Sequence, residues 1–257
     1  MDGRSVTPPG RGLLLAAIGD LHAHDDSPRC DALHEALVAA SRAADVVLLA
    51  GDLTMHGTAR QADLLGGICA GMDVPVVAVL GNHDERRDGS GAVAGSLRAA
   101  GITVLEGNAV ELDVGGHRVG LAGAMGAFGG FEGVTIEGIS EQRREAISRR
   151  AALQAAALHD GLEAIAGCDV RVALMHYSPT IDTLRGESRA LWGYLGSELL
   201  AEPIRRHRPD AVVHAHAHSG SFRGSIGSVP VYNVSAEVLQ GRVVMLELPT
   251  AADREAG

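Results

Sequence analysis

LLLAAIGDLH at 13–22 decides how this chain is read: an almost purely apolar run breaks off in a glycine, an aspartate and, two residues on, a histidine. The pattern returns twice, as VVLLAGD at 46–52 and VVAVLGNHD at 76–84. Runs this apolar fit strands buried on both faces, as in a largely parallel sheet covered by helices. Helical patterns over 31–43 and 58–70 separate the runs, so the order is strand, helix, strand, helix, strand, and an α/β fold class follows. In such sheets the carboxyl ends of the strands line the ligand crevice, which places Asp20, Asp52 and Asn82 on one edge.

Downstream, 102–105, 110–114 and 118–121 read as short strands, with a hairpin turn at Gly115-Gly116 that suggests a meander or second sheet. Six glycines and two phenylalanines over 123–138 predict a flexible surface loop. Ser140 is placed to cap a helix running to about 166. Strands are expected at 170–175 and 211–213 with a helix over 198–206 between them, and 229–234 with 242–248 as a closing pair. One domain over 13–249 is expected, flanked by a disordered N-terminus at 1–12 and a polar tail at 250–257.

Composition narrows the function classes. All 22 basic residues are arginines, which removes P-loop, Schiff-base and Ser-Lys chemistry. Cys30, Cys69 and Cys168 stand far apart, against both a disulfide framework and a thiolate metal site, and fit a reducing cytoplasm. The run at 13–18 is too short and too weakly flanked for an export signal, and no membrane span is expected. A net charge of -10 disfavours general nucleic-acid or membrane-surface binding and favours a small substrate.

Two further clusters follow strands: Met175-His176 and Ala215-His216-Ala217-His218. Together with Asp20, His22, Asp52 and Asn82 they supply two carboxylates, a carboxamide and four imidazoles, mixed O and N ligation that suits Mn, Fe or Zn. Seven ligands exceed one tetrahedral metal. Two metals sharing Asp52 could hold a bridging hydroxide and clamp a phosphoryl group for in-line displacement. The two histidines of His216-Ala217-His218 either share a strand face or are splayed by a turn toward separate metals.

The set DLH, GD, GNHD, H and HxH, in this order, resembles the calcineurin-like metallophosphoesterase superfamily, which includes class III cyclic-nucleotide phosphodiesterases and serine/threonine phosphatases. The resemblance covers 13 to about 235. It implies a four-layer α-β-β-α sandwich of two mixed sheets. It also implies one metal on Asp20, His22 and His218, a second on Asn82, His176 and His216, and Asp52 between them. His83 then resembles the proton donor to the leaving group, with Asp84 orienting it. Met55 stands where many relatives carry Asp, and Ala215 replaces the usual glycine before HxH, which demands a backbone that tolerates a Cβ.

His24 and His56 flank the motifs as substrate or supporting groups, while His214 reads as a packed, hydrogen-bonded histidine. His34, His117, His159 and His207 read as surface or structural. Arg86 is a phosphate-binding candidate, but with Arg87 adjacent a solvated charge pair is the favoured reading. Phe128, Phe131, Trp192 and Tyr194 lie in predicted loops and either overhang the crevice to stack a nucleobase or, the favoured reading, anchor the core or a dimer contact. The expected activity is hydrolysis of a small phosphate ester, a diester ahead of a monoester or phosphoprotein. The alternative of a non-catalytic scaffold is disfavoured because all seven ligand types and His83 are present.

Overall fold

The structure is a computed structural model that describes residues 12–24, 28–134 and 136–250, without the side chains of 28–30. Apart from Gly12 and Thr250, the expected N-terminal segment and tail lie outside the described residues. In chain order the main elements are β1 (Leu13–Ile18), α1 (Pro28–Ser41), β2 (Val46–Ala50), α2 (Ala59–Cys69), β3 (Val76–Val79), α3 (Ser90–Ala99), β4 (Thr103–Leu105), β5 (Asn108–Val114), β6 (His117–Ala124) and α4 (Glu141–Ala164). They continue with β7 (Val170–Met175), α5 (Trp192–Leu195), α6 (Ala201–His207), β8 (Ala211–His214), β9 (Arg223–Ile226), β10 (Val229–Asn233) and β11 (Val244–Leu248).

Two mixed sheets result. The first has the order β11-β1-β2-β3-β4, parallel except for β11, and the second the order β5-β6-β7-β8-β10-β9. Alternation along β1 shows how they stack. Leu13, Leu15 and Ala17 face Leu121, Val172 and Val213 of the second sheet, whereas Ala16 and Ile18 face Leu37, Leu65 and Leu97 of α1 to α3. On the far side Leu158, Leu162 and Ile204 of α4 and α6 cover Ala173 and Val212. The layers are therefore α, β, β, α, each leucine in the core adding about 1.5–3 kcal/mol by its burial.

Local signals act as read. Thr58 accepts from the Gln61 N–H to start α2, and Ser140 accepts from the Arg143 N–H to start α4. Three expectations are corrected. Residues 229–234 and 242–248 do not pair: β10 lies between β8 and β9, while β11 joins β1 in the other sheet. Helix α3 was not anticipated, because its glycines and serines dilute the short buried stripe of Val93, Ala94 and Leu97. The glycine-rich loop is tied down rather than loose: Gly129 and Gly130 both donate to the Gly196 carbonyl at 2.9 and 3.0 Å, and Ala127 is buried.

Candidate metal centre

The motif residues sit where strands of both sheets end, not along the edge of one sheet as the sequence suggested. Asp20 and His22 follow β1, Asp52 follows β2 and Asn82 follows β3, while His176 follows β7, and His216 and His218 follow β8. The turns that deliver them are unusual. Among the described residues six non-glycine residues have positive φ, and four of these are Asp20, His22, Asp52 and His216, at 55°, 46°, 48° and 70°. Left-handed backbone is disfavoured for L-residues, and Asp and His tolerate it better than most. Its concentration here marks a site whose geometry is imposed by its surroundings.

Neighbouring glycines make room. A Cβ on Gly81 would lie 2.2 Å from Oδ1 of Asp52, so that turn needs glycine for close approach. Ala215, the departure from the usual glycine, is accommodated from across the sheets: it has no positive φ, and Gly19 faces its methyl, since a Cβ on Gly19 would come within 2.4 Å of the Ala215 Cβ.

Three groups of side chains converge, each offering ligand atoms within 4.8 Å of one another: Asp20, His22 and His218; His22, Asp52 and His83; and Asp52, His176 and His216. Asn82 adds Oδ1 at 3.1 Å from Nε2 of His176. All seven expected ligands and His83 are thus brought together, with His22 shared by the first and second groups and Asp52 by the second and third. His216, with its φ of 70°, turns the HxH segment so that its two imidazoles serve different groups, which decides for the splayed arrangement over the shared strand face.

The donor set fits cations. Nδ1 of His22 is buried without a hydrogen-bond partner, and buried Oδ1 of Asp20, also without a hydrogen bond, has Nε2 of His218 at 3.4 Å; such groups are costly unless something binds them. Nδ1 of His176 lies 3.0 Å from the Ala50 carbonyl, so that nitrogen carries the proton. Nε2 then faces Oδ1 of Asn82 and, at 3.4 Å, Oδ1 of Asp52. Acceptors converging in this way repel one another and attract a metal.

Charges follow the same geometry. Burial would raise the Asp20 carboxyl, but the imidazoles of His218, His176 and His216 outweigh it and hold Asp20 well below the usual carboxylate range. Asp20 beside it raises His218 to about 9, whereas burial and His176 push His216 down to about 3.

The support around the centre was only partly foreseen. His83 donates from Nδ1 to the Met55 carbonyl at 2.8 Å, leaving Nε2 3.8 Å from Oδ2 of Asp52. Asp84 therefore does not orient His83, contrary to expectation. Its buried carboxylate is occupied by Leu53, Thr54 and Gly81, whose N–H and O–H groups donate at 2.7 to 3.1 Å. Asp84 holds the two turns together, and no residue type could have revealed a main-chain acceptor at Met55. His24 donates to the His22 carbonyl at 2.8 Å and supports that turn, while His56 is exposed. Buried His214 is hydrogen-bonded to the Ala215 carbonyl and the Thr183 hydroxyl, both at 2.8 Å, as a packed histidine should be. Glu237, absent from the sequence reading, stands 4.0 Å from Nδ1 of His218. Arg86 is exposed, its main-chain N–H donating to the His83 carbonyl at 3.2 Å, and Glu85 next to it is paired with Arg150 of α4 at 2.6 Å.

Comparisons with known proteins agree with this architecture. The family model for calcineurin-like phosphoesterases matches residues 13–220, and the chain belongs to that family of metal-dependent phosphoesterases. A phosphopantetheinyl hydrolase from Mycobacterium tuberculosis aligns with a TM-score of 0.66 at 16% identity, covering 91% of this chain and 96% of that one. A putative 5'-nucleotidase from Staphylococcus aureus aligns with a TM-score of 0.58 at 15% identity, over 93% of this chain and 53% of that one. A sulfate thiohydrolase from Thermus thermophilus, at 0.54 and 15%, covers 97% and 60% respectively. At these identities the likeness is one of fold. Comparison with curated proteins finds no match to the sequence. No helix among the described residues is long and apolar enough to cross a membrane.

Proposed function

We propose that this family member hydrolyses a small phosphate diester at a dinuclear centre, with Asp20, His22 and His218 holding one transition-metal ion, Asn82, His176 and His216 the other, and Asp52 both. Such ions supply Lewis-acid charge to the nonbridging phosphoryl oxygens and acidify the attacking water. Mn, Fe and Zn all suit the donors, because the set is nitrogen and oxygen without thiolate.

His83 carries the reading. Its Nδ1 proton is committed to the Met55 carbonyl, so Nε2 is the nitrogen that can hold a second proton, and it sits 3.8 Å from Oδ2 of Asp52 in the group formed with His22 and Asp52. A proton held there is available to the departing alkoxide, the usual work of a general acid. A diester is favoured over a monoester by the resemblance of the motif set DLH, GD, GNHD, H and HxH to class III cyclic-nucleotide phosphodiesterases. The nearly full-length likeness to a protein described as a phosphopantetheinyl hydrolase is compatible with a small phosphoester substrate.

Metal-depleted protein reconstituted with manganese and assayed on bis-p-nitrophenyl phosphate beside p-nitrophenyl phosphate tests this. Manganese-dependent turnover with the diester ahead is expected. The monoester ahead would shift the assignment to a monoesterase, and turnover of neither would overturn the hydrolase reading.

A further inference from the structure

The chain contains three Phe, three Tyr and one Trp, and their distribution is uneven. Phe222 and Tyr232 pack on each other at 5.6 Å. Phe128, Phe131, Tyr177, Trp192 and Tyr194 all lie in the two segments that follow β6 and β7, Trp192 and Tyr194 within α5. These segments are joined at Gly196, whose carbonyl accepts from Gly129 and Gly130, and by the Glu198 N–H donating to the Gly130 carbonyl at 3.0 Å.

Three of the rings form a row leading away from the ligand groups. Tyr177 lies 4.4 Å from the His216 ring, Phe128 lies 6.1 Å from Tyr177, and Tyr194 lies 6.0 Å from Phe128. The Tyr194 main-chain carbonyl comes to 3.4 Å from Nε2 of His216, so the residue that carries the last ring is anchored beside the centre. Tyr177 is buried and Phe128 half-buried, but Tyr194 is 42% exposed. Exposed aromatic surface joined to a polar site is the usual build of a ligand pocket wall. Trp192 and Phe131 are used differently: the Trp192 indole donates to the Glu187 carbonyl at 3.2 Å, and Phe131 borders a separate cleft with Ile181 and Arg205.

We infer that Phe128 and Tyr194 form a subsite for a flat aromatic substituent of the phosphoester, held beside His216 while the phosphoryl group occupies the centre. The inference rests on the hydrolase reading for where the phosphoryl group lies, but the subsite is a matter of binding. A ring placed against offset aromatic faces gains stacking beyond its buried area, whereas a methyl group gains almost none.

The test compares benzylphosphonate with methylphosphonate by calorimetry on the manganese-loaded protein, and benzyl with methyl p-nitrophenyl phosphate in turnover. Roughly tenfold tighter binding of the benzyl compound is expected, with a similar ratio of kcat/KM. Tyr194→Leu and Phe128→Leu should bring both ratios toward one, while Tyr194→Phe should keep them. Equal binding of the two phosphonates, or a benzyl preference unchanged in both leucine variants, would overturn the subsite. Benzyl-selective binding without turnover of either ester would instead overturn only the hydrolase reading. Melting temperature and metal content of each variant separate loss of the subsite from loss of the fold.

Discussion

The main-chain N–H of His83 donates to Oδ1 of Asp52 at 2.7 Å. Through that one bond the turn after β3 is locked to the carboxylate that stands between the ligand groups.

Asp52→Asn keeps an acceptor for the His83 N–H and removes the charge. The fold should survive with a small change in melting temperature, while bound metal falls by half or more and turnover by about 10³-fold. Metal analysis of the purified variant checks this, and a full metal complement would remove Asp52 from the shared position.

His83→Gln should leave metal content unchanged and lower kcat by about 10²-fold or more for an alkyl leaving group. Dependence on the leaving group is the diagnostic, since p-nitrophenolate departs without a proton and should suffer less. Loss of metal in this variant would make His83 a ligand, as its closeness to His22 and Asp52 permits.

Gly19→Ala would push a methyl to within 2.4 Å of the Ala215 Cβ. Overpacking of this kind costs about 1–3 kcal/mol. Adding Ala215→Gly removes that contact, although Ala50 remains 3.1 Å away, so rescue should be partial. Urea unfolding of the two single variants and the double variant measures the coupling, and strict additivity would deny that the two positions share one space.

Burial lowers His214 from 6.5 to about 4. Below pH 6.5 the unfolded chain takes up a proton that the native protein refuses until about pH 4, so the stability present above 6.5 is lost as pH falls through this window. The loss is on the order of 3 kcal/mol. In metal-free protein, urea unfolding at pH 7 and pH 4.5 should show wild type losing that much more than His214→Gln. Equal losses would assign the pH response to other groups.

Much of this was legible in the chain because the strands before the ligands are apolar on both faces. β1, β2 and β7 have the bounds their apolar runs suggested, and a residue following such a run has little choice about where it emerges. What remained hidden was carried by atoms common to every residue. The Met55 carbonyl that positions His83 and the Ala50 carbonyl that fixes His176 leave no mark on residue type. Asp84 misled for a related reason: its place beside His83 in sequence suggested partnership, yet its side chain turns back to the loop after β2. Sheet membership of the last strands was also invisible, since an apolar strand pairs as readily with one edge as with another.

The left-handed backbone at Asp20, His22, Asp52 and His216 also restricts the routes by which this centre could be dismantled. Glycine and asparagine accept such a conformation, whereas valine, isoleucine and threonine resist it. A descendant that abandoned its metals while keeping these turns would therefore carry Gly or Asn at the four positions, and a β-branched residue there would signal that the turn itself had been rebuilt.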